Sequence, residues 1–266
     1  PEKREFITLK NSFHGRTLAT VAATGQEKYQ KPYKPLIEKF VHVEINNIDE
    51  LRAAVNPNTA AIMVELIQGE SGVHPMTREY LDAIVNICKE NGIIFIADEI
   101  QTGIGRCGEL FAHNYYGVEP DIFTMAKGLG GGLPVGACLC TERLGAVLSK
   151  GMHGSTFGGN PVVCAGGLAV LEQVAKPDFL AQVLAKGAHI RAALRDCQEV
   201  TEITGLGLML GLTLKTKQAA DVKQAAFQRG LLVLTAKDKV RLLPPLNITI
   251  GELDSGLAIL KECLSQ

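Results

Sequence analysis

The sequence predicts an α/β protein, with a large domain built on a mostly parallel β-sheet covered by helices and a smaller α+β domain after it. Short runs rich in Ile and Val alternate with segments of helical periodicity, as is typical of buried parallel strands joined by helices. Two of these runs flank a well-delimited helix, which predicts a right-handed strand–helix–strand crossover. After about residue 158 the pattern changes to long helices rich in Ala, Gly and Val.

The elements are predicted in order along the chain. Strands are expected at 60–66 (AAIMVEL), 93–98 (IIFIAD), 121–126 (DIFTMA) and 136–141 (GACLCT). The helix between the first two begins at an expected N-cap, Thr77, carries apolar residues at i, i+3, i+4 and i+7 from Leu81, and stops at Asn91-Gly92. Later helices are expected at 161–175, 178–197, 219–228 and 253–264, and later strands at 208–215, 231–235 and 239–243. We therefore predict a large domain over residues 1–158 and a small domain over residues 159–266, with the boundary along a continuous helix.

Composition narrows the class of function. The 266 residues contain 27 Lys and Arg against 28 Asp and Glu, with no run of like charges. This balance predicts neither a nucleic acid nor a membrane surface as partner. No apolar stretch approaches the roughly 20 residues that a membrane helix needs. The seven cysteines lack CxxC spacing and the six histidines lack an HExxH pair, so we expect a reducing, cytoplasmic setting and no metal site.

Two polar residues follow predicted strands at the edge where α/β proteins collect functional groups. Asp98 ends IIFIAD, and Lys127 follows DIFTMA and precedes the loop GLGGGLPVG. Taken singly, Asp98 is equally expected as a turn cap and Lys127 as a solvated lysine. Taken together, a lysine that can form a Schiff base and a carboxylate that can hold a pyridinium nitrogen are what pyridoxal phosphate chemistry requires.

Six segments in order carry a family resemblance: SFHGRT (12–17), ELIQGESG (65–72), FIADEIQTGIGRCGELF (95–111), TMAKGLGGGLPVGA (124–137), HGSTFGGNP (153–161) and VRLLPPL (240–246). They resemble the class III pyridoxal phosphate-dependent aminotransferases, of fold type I, over nearly the whole chain. The nearest subgroup acts on acetylornithine, and the ornithine, succinylornithine and 4-aminobutyrate subgroups stay open as alternatives. The resemblance also implies that the upstream part of the family's chain, with half of its phosphate-binding groups, is missing here.

The resemblance assigns roles residue by residue. Lys127 is expected to bind the cofactor and to move the proton at the substrate Cα, and Asp98 to pair with the ring nitrogen. The remaining cofactor contacts are expected from Phe13, Glu99, Ile100, Gln101 and Thr156. The expected substrate contacts are Arg16, Glu70, Ser155 and Arg241. Ordinary structural roles stay open for several of them: a core aromatic for Phe13, a surface arginine for Arg16, and a static salt bridge for Glu70 with Arg241.

The implied reaction transfers the δ-amino group of N2-acetylornithine to 2-oxoglutarate, in arginine biosynthesis. Glu70 is expected to pair with Arg241 when the amino donor is bound and to release it when 2-oxoglutarate binds, so that one pocket accepts both substrates. Ser155 and Thr156 are expected to reach across a homodimer interface into the partner's site.

Other features of the sequence leave three alternatives to an aminotransferase. A phosphoryl-transfer enzyme would need GxxxxGK[ST], which is absent from the sequence. GLGLMLG (205–211) has the spacing GxGxxxG and is expected to be a tight turn entering a strand rather than a dinucleotide site. The third alternative is a non-catalytic fragment that serves only as a dimerising or binding module.

Overall fold

The computed structural model describes residues 3–265. Residues 1 and 2 of the predicted large domain and residue 266 of the predicted small domain lie outside that range. A six-stranded sheet forms the first half, in the order β2-β1-β3-β6-β7-β8. Its strands are β1 (Glu5–Leu9), β2 (Phe40–Val43), β3 (Thr59–Val64), β6 (Ile94–Asp98), β7 (Ile122–Met125) and β8 (Ala137–Cys140). All pairs are parallel except β7 with β8. The predicted α/β class with a mostly parallel sheet is confirmed.

Burial of the central strands explains their near-continuous apolar composition. Ile62 and Val64 of β3 and Phe95 and Ala97 of β6 belong to one hydrophobic core with little or no exposed surface. Strands covered by helices on both faces cannot alternate apolar with polar residues, because both faces exclude water. Strand β1 is equally buried but only five residues long, and neither it nor β2 was predicted.

Helix α4 (Arg78–Asn91) forms the predicted crossover between β3 and β6. The Thr77 hydroxyl accepts a hydrogen bond from the backbone N–H of Tyr80 at 3.2 Å, as an N-cap does. Gly92 follows the helix in the left-handed conformation, with φ of 57°, where a side chain would be strained. Both predicted helix ends are confirmed.

The other helices are α1 (Leu18–Ala23), α2 (Glu27–Gln30), α3 (Ile48–Ala54), α5 (Ala112–Tyr116), α6 (Glu142–Gly145), α7 (Pro161–Val174), α8 (Pro177–Leu194), α9 (Ala219–Gln228) and α10 (Ile250–Ser265). Single 3₁₀ turns occur at Lys31–Tyr33 and Lys127–Gly130. Within residues 3–265, no helix has both the length and the apolar composition needed to cross a membrane.

A second, antiparallel sheet occupies the last third of the chain, in the order β11-β12-β10-β9. Its strands are β9 (Val200–Leu206), β10 (Met209–Leu214), β11 (Leu234–Ala236) and β12 (Lys239–Leu242). Together with residues of α8, α9 and α10 it encloses a hydrophobic core of its own. A third, short sheet pairs β4 (Ile67–Gln68) with β5 (His74–Pro75). The division of the chain near residue 158 stays a prediction, because α7 packs on the Lys127–Gly130 turn of the first half.

The turn at Gly207-Leu208 joins β9 to β10. GLGLMLG therefore is a turn entering a strand, as predicted, and Gly207 adopts a positive φ of 54° there. Strand β9 itself was not predicted, because VTEITGL contains only three large apolar residues and lies at the edge of its sheet.

Candidate active site

The carboxyl ends of β6 and β7 bring Asp98 and Lys127 to the same edge of the large sheet. Asp98 is the last residue of β6 and is in register with Thr124 of β7, three residues before Lys127. Both side chains line a cavity of about 100 Å³. Its walls are formed by Phe13, His14, Gly15, Glu65, Asp98, Ile100, Gln101 and Lys127. A wider cleft of about 1010 Å³ shares Ile100, Gln101 and Lys127 with it and runs along the glycine-rich loop.

Asp98 is held at the inner end of this cavity and is only 3% exposed. Its Oδ1 accepts hydrogen bonds from the backbone N–H of Ile100 at 3.1 Å and from the Thr124 hydroxyl at 3.3 Å. Its Oδ2 lies 2.8 Å from Nδ1 of His14, a fully enclosed side chain. Asp98 therefore caps the following turn and also presents a buried carboxylate to the cavity. His14 was not predicted as a site residue, although it lies in the SFHGRT segment.

Lys127 stands in the left-handed backbone region, with φ of 48°. A lysine rarely adopts this conformation, and such strain is concentrated at functional sites. Desolvation within the cleft lowers the pKa of Lys127, while the negative charges of Glu70, Asp98 and Glu65 oppose that shift. The side chain is nevertheless exposed at the mouth of the cavity. The arrangement favours a larger fraction of neutral, nucleophilic amine than a surface lysine has.

Phe13, Ile100 and Gln101 are all brought to the cavity. The Phe13 ring packs edge-on against Tyr29, with ring centroids 5.3 Å apart. The backbone N–H of Phe13 donates to Glu65 Oε1 at 2.8 Å, and Nε2 of Gln101 lies 3.4 Å from Glu65 Oε2. Glu65, which was not predicted as a site residue, therefore connects two walls of the cavity.

Glu99, which is expected to contact the cofactor, is not among the residues that line this cavity. Its carboxylate accepts hydrogen bonds from the backbone N–H groups of Ala112 and His113, at 3.1 and 2.8 Å, and from the Thr102 hydroxyl. Nδ1 of His113 lies 3.1 Å away. Consecutive strand residues face opposite sides of a sheet, so the residue after Asp98 caps α5 on the far side.

Arg241 reaches the site from β12 and is 7% exposed. Its Nη1 donates to the backbone oxygen of Gly69 at 2.8 Å and lies 3.4 Å from Glu70 Oε1 and 3.5 Å from Gln101 Oε1. Its Nε is buried and has no hydrogen-bond partner among residues 3–265. The predicted Glu70–Arg241 pair is thus in contact, at a distance typical of a weak ion pair.

Arg16 and the loop containing Ser155 and Thr156 lie outside the enclosed cavity. The Arg16 guanidinium carbon lies 4.4 Å from the ring centroid of Tyr29 and 5.7 Å from that of Phe13, so two aromatic rings hold it beside the cavity wall. Ser155 and Thr156 are exposed, and Ser155 Oγ accepts a hydrogen bond from the backbone N–H of Gly158 at 3.0 Å. The structure does not bring these two residues to the cavity of their own chain.

The chemistry of the donor set fits pyridoxal phosphate. Asp98 supplies a buried anion for a protonated ring nitrogen, and Lys127 supplies an amine in the same cavity. The Gln101 amide and the Phe13 ring line this cavity too, as a donor and an apolar surface for a planar ring. Among the described residues, no group of three or more His, Cys, Asp or Glu is arranged to hold a metal ion.

Comparisons with known proteins agree with this chemistry. The family model for class-III aminotransferases matches residues 1–264. The chain is 48% identical to an acetylornithine aminotransferase of Caldanaerobacter subterraneus, covering 100% of this chain and 68% of that protein. It is 44% identical to an acetylornithine aminotransferase of Streptococcus mutans, covering 99% of this chain and 71% of the relative.

Solved structures of similar proteins superpose on the whole chain. The ornithine aminotransferase from Toxoplasma gondii gives a TM-score of 0.93 at 30% identity, covering 100% of this chain and 65% of that one. The N-acetylornithine aminotransferase from Stenotrophomonas maltophilia gives a TM-score of 0.83 at 32% identity, covering 99% and 66%. The chain thus spans about two thirds of the length of these relatives. It belongs to the class-III aminotransferases, a family of pyridoxal phosphate-dependent transaminases of fold type I.

Proposed function

We propose that the protein transfers the δ-amino group of N2-acetylornithine to 2-oxoglutarate, in the cytoplasm, as a step of arginine biosynthesis. The observation that carries the proposal is the shared cavity of Asp98 and Lys127, with Arg241 in contact with Gln101 of the same cavity. The names of the similar curated proteins support the choice of donor, because several of them at 41–48% identity are acetylornithine aminotransferases.

Five residues of the cavity have a task in this proposal. Pyridoxal phosphate, when bound, would supply an aldehyde for the amino group and a ring that accepts the electrons left at the carbon from which the amino group is transferred. Asp98 holds the proton on the ring nitrogen. The neutral amine of Lys127 would take the proton from the carbon that bears the transferred amino group, which is Cδ of N2-acetylornithine, and its lowered pKa suits it to this role. Phe13 and Ile100 pack against the ring, and Gln101 donates to its oxygen substituent.

Two arginines are assigned to substrate carboxylates. Arg16 is held at the cavity wall by two aromatic rings, where a planar guanidinium can take a carboxylate bidentately. Arg241 keeps a buried, unpartnered Nε beside its anchored Nη1, so one edge of its guanidinium is ready for a second carboxylate. Glu70 pairs with Arg241 while the amino donor is bound and gives way to the dicarboxylic acceptor.

A homodimer is part of the proposal. Ser155 and Thr156 serve the partner's site, Thr156 at the cofactor phosphate and Ser155 near the substrate. The exposed position of both residues is consistent with such a role, and so is Phe157 beside them, which is 80% exposed. A large apolar side chain at that exposure is typical of a surface that packs against another chain.

An ornithine aminotransferase is the second candidate, favoured by the TM-score of 0.93 with the Toxoplasma gondii structure. Arg16 and Arg241 suit either donor, because both donors carry an α-carboxylate. Turnover of N2-acetylornithine, ornithine, succinylornithine and 4-aminobutyrate by the full-length protein, compared at equal concentration, separates these possibilities.

The lysine provides the test of the reaction class. Borohydride reduction of the cofactor-loaded, full-length protein should leave the cofactor's mass on the peptide that contains Lys127. Lys127→Ala should lower turnover by roughly 10³-fold or more, because it removes both the covalent attachment and the base. Lys89→Ala, an exposed lysine in the last turn of α4, is the matched control and should retain wild-type turnover. Full turnover by Lys127→Ala, or no cofactor spectrum in the wild type, would refute the proposal.

A further inference from the structure

Glu65 is a buried carboxylate at the site to which the proposed reaction assigns no task. It follows β3 directly and is 2% exposed. Its Oε1 accepts from the backbone N–H of Phe13 at 2.8 Å, and its Oε2 from the backbone N–H of Gly69 at 3.3 Å and from Nε2 of Gln101 at 3.4 Å. A buried carboxylate is costly unless such donors surround it, so three donors from three segments indicate an anchoring point.

Two of these donors belong to groups that also contact Arg241. Gly69 turns its N–H to Glu65 and its carbonyl oxygen to Arg241 Nη1, at 3.3 and 2.8 Å. The Gln101 amide repeats the pattern, with Nε2 toward Glu65 and Oε1 toward Arg241, at 3.4 and 3.5 Å. The Gln101 amide is therefore polarised between a carboxylate and a guanidinium, and hydrogen bonds in such a chain strengthen one another. The N–H and the carbonyl of Gly69 belong to successive peptide groups, so Gly69 links Glu65 to Arg241 through its backbone position.

The tight packing of this bridge leaves it little freedom. A Cβ atom built on Gly69 would lie 2.4 Å from Gln101 Oε1 and 2.8 Å from Met209 Cε. Real Cβ atoms do not approach other atoms so closely, so the Gly69 backbone and the Gln101 amide are in direct contact. A shift of either group at Glu65 is therefore transmitted to Arg241.

We propose that Glu65 is a positioning residue for Arg241, acting through Gly69 and Gln101, which keeps the guanidinium in place when a dicarboxylic substrate displaces Glu70. The direct Glu70 contact, at 3.4 Å, is the one that the substrate must replace, whereas the bridge from Glu65 runs through Gly69 and Gln101 and does not include Glu70. The inference rests on the proposed function, since it takes Arg241 as the site of a substrate carboxylate.

The charge of Glu65 is set by its surroundings. The charged and titratable groups that face it are His14, Asp98 and Lys127, with Arg241 and Glu70 behind the bridge. Burial raises the pKa of Glu65 to about 7, assisted by Asp98 and opposed by His14 and by the two backbone N–H groups. Below that pH the protonated carboxyl is a weaker acceptor, and the bridge loosens. Positioning through the bridge therefore predicts that affinity for a dicarboxylate falls as the pH drops through about 7.

A purely electrostatic effect has the opposite sign. Protonation of Glu65 removes a negative charge near the substrate, which by itself strengthens the binding of an anion. The pH dependence thus separates a positioning role from a simple charge effect.

The test compares the full-length wild type with Glu65→Gln. Binding of glutarate, an unreactive dicarboxylate, is measured by calorimetry on the cofactor-free protein between about pH 6 and pH 8.5, a window that spans the Glu65 pKa. We expect Glu65→Gln to weaken glutarate binding roughly tenfold at pH 8 and to flatten its pH dependence.

With cofactor, KM for 2-oxoglutarate should rise by a similar factor, while kcat and the KM for a monocarboxylic 2-oxo acid change less than about twofold. Glu79→Gln, an exposed glutamate in the first turn of α4, is the control and should match the wild type.

Several outcomes would overturn the inference. Glutarate affinity unchanged by Glu65→Gln, or an equal loss for mono- and dicarboxylic acids, excludes positioning of Arg241. Should Glu65→Gln fail to fold, the wild-type titration decides, since affinity that is flat or rises below about pH 7 excludes the role. If the wild type binds cofactor and transaminates but Glu65→Gln is unaffected, this inference alone fails. If the wild type neither transaminates nor binds glutarate, the proposed function fails with it.

Discussion

The two buried carboxylates of the cavity have the same chemistry but are surrounded by different groups. Asp98 and Glu65 are both buried carboxylates that line the same cavity. Asp98 Oδ2 lies 2.8 Å from Nδ1 of His14. Glu65 instead accepts hydrogen bonds from two backbone N–H groups and from the Gln101 amide. Burial raises the pKa of Glu65 to about 7, because desolvation of the carboxylate outweighs the opposing charge of His14 and the two backbone N–H donors.

This shift has a consequence for stability. The folded protein holds the Glu65 proton with a pKa of about 7, above the ordinary value of 4.5, so the folded state binds more protons between these two values. Stability contributed by Glu65 is therefore greatest below about pH 4.5 and is lost as the pH rises to about 7, by up to about 3 kcal/mol. Glu65→Gln removes this dependence.

We expect the free energy of unfolding of Glu65→Gln to increase relative to that of the wild type between about pH 5 and pH 8, because only the wild type loses stability as Glu65 ionises. Denaturant unfolding of the cofactor-free protein at the two pH values measures the difference. An equal difference at both values would show that Glu65 does not titrate in this range.

At the scale of elements, the backbones of three segments of the chain pack closely together where the two sheets join. The turn at Gly207 packs between α8 and the loop that follows Gln101. A Cβ atom on Gly187 of α8 would lie 2.2 Å from the Gly207 oxygen, and one on Gly207 would lie 2.7 Å from the backbone carbon of Cys107. The Arg106 guanidinium closes the contact, donating to the backbone oxygens of Leu208 and Pro244 at 3.0 and 2.7 Å. The strand that carries Arg241 is thereby fixed relative to the loop that carries Gln101.

Gly187→Ala tests whether this contact decides stability. Helix propensity alone predicts a gain of about 1 kcal/mol for Ala over Gly inside a helix. The contact with Gly207 predicts instead a net loss of about 2 kcal/mol, because the added methyl forces two backbones apart. Gly251→Ala in α10, where a Cβ would meet nothing within 4 Å, is the control and should stabilise the protein by up to about 1 kcal/mol. Chemical denaturation measures both, and a Gly187→Ala protein as stable as the wild type would exclude the contact as a determinant.

At the scale of the whole molecule, large apolar side chains are exposed within one stretch of the chain. They include Leu133, Leu139, Val147, Leu148, Met152, Phe157, Val162 and Leu168. Soluble monomers seldom expose so many apolar side chains in one segment, which supports the proposed homodimer. Ser155 and Thr156 lie in the middle of this stretch.

A complementation experiment tests the composite site. Lys127→Ala and Thr156→Glu should each be nearly inactive, the second because it introduces a negative charge at the proposed phosphate contact. In a mixed dimer, one of the two sites combines an intact Lys127 with an intact Thr156 from the partner. Mixing the two variants under conditions of subunit exchange should therefore restore roughly a quarter of wild-type turnover. Continued inactivity, with exchange verified by differently tagged subunits, would place both residues in the same chain's site.

The sequence by itself determined the parallel sheet, the capped crossover helix, and the position of Asp98 and Lys127 at one sheet edge. These follow from local rules: buried strands are apolar throughout, helix ends need caps, and parallel strands end together. Strands β1 and β2, of five and four residues, were not predicted. Strand β9 has seven residues but was not predicted because only three of them are large and apolar and because it lies at the edge of its sheet.

Only the tertiary structure decided which neighbours the side chains meet. Glu65 and His14 lay within recognised segments, but their contacts join residues 52 and 84 positions apart in the chain. Glu99, adjacent to Asp98, turned out to cap α5 instead of facing the cavity. The bridge from Glu65 to Arg241 likewise spans both sheets. Such pairings depend on how distant segments pack, and packing is set by the whole core rather than by any local pattern of residues.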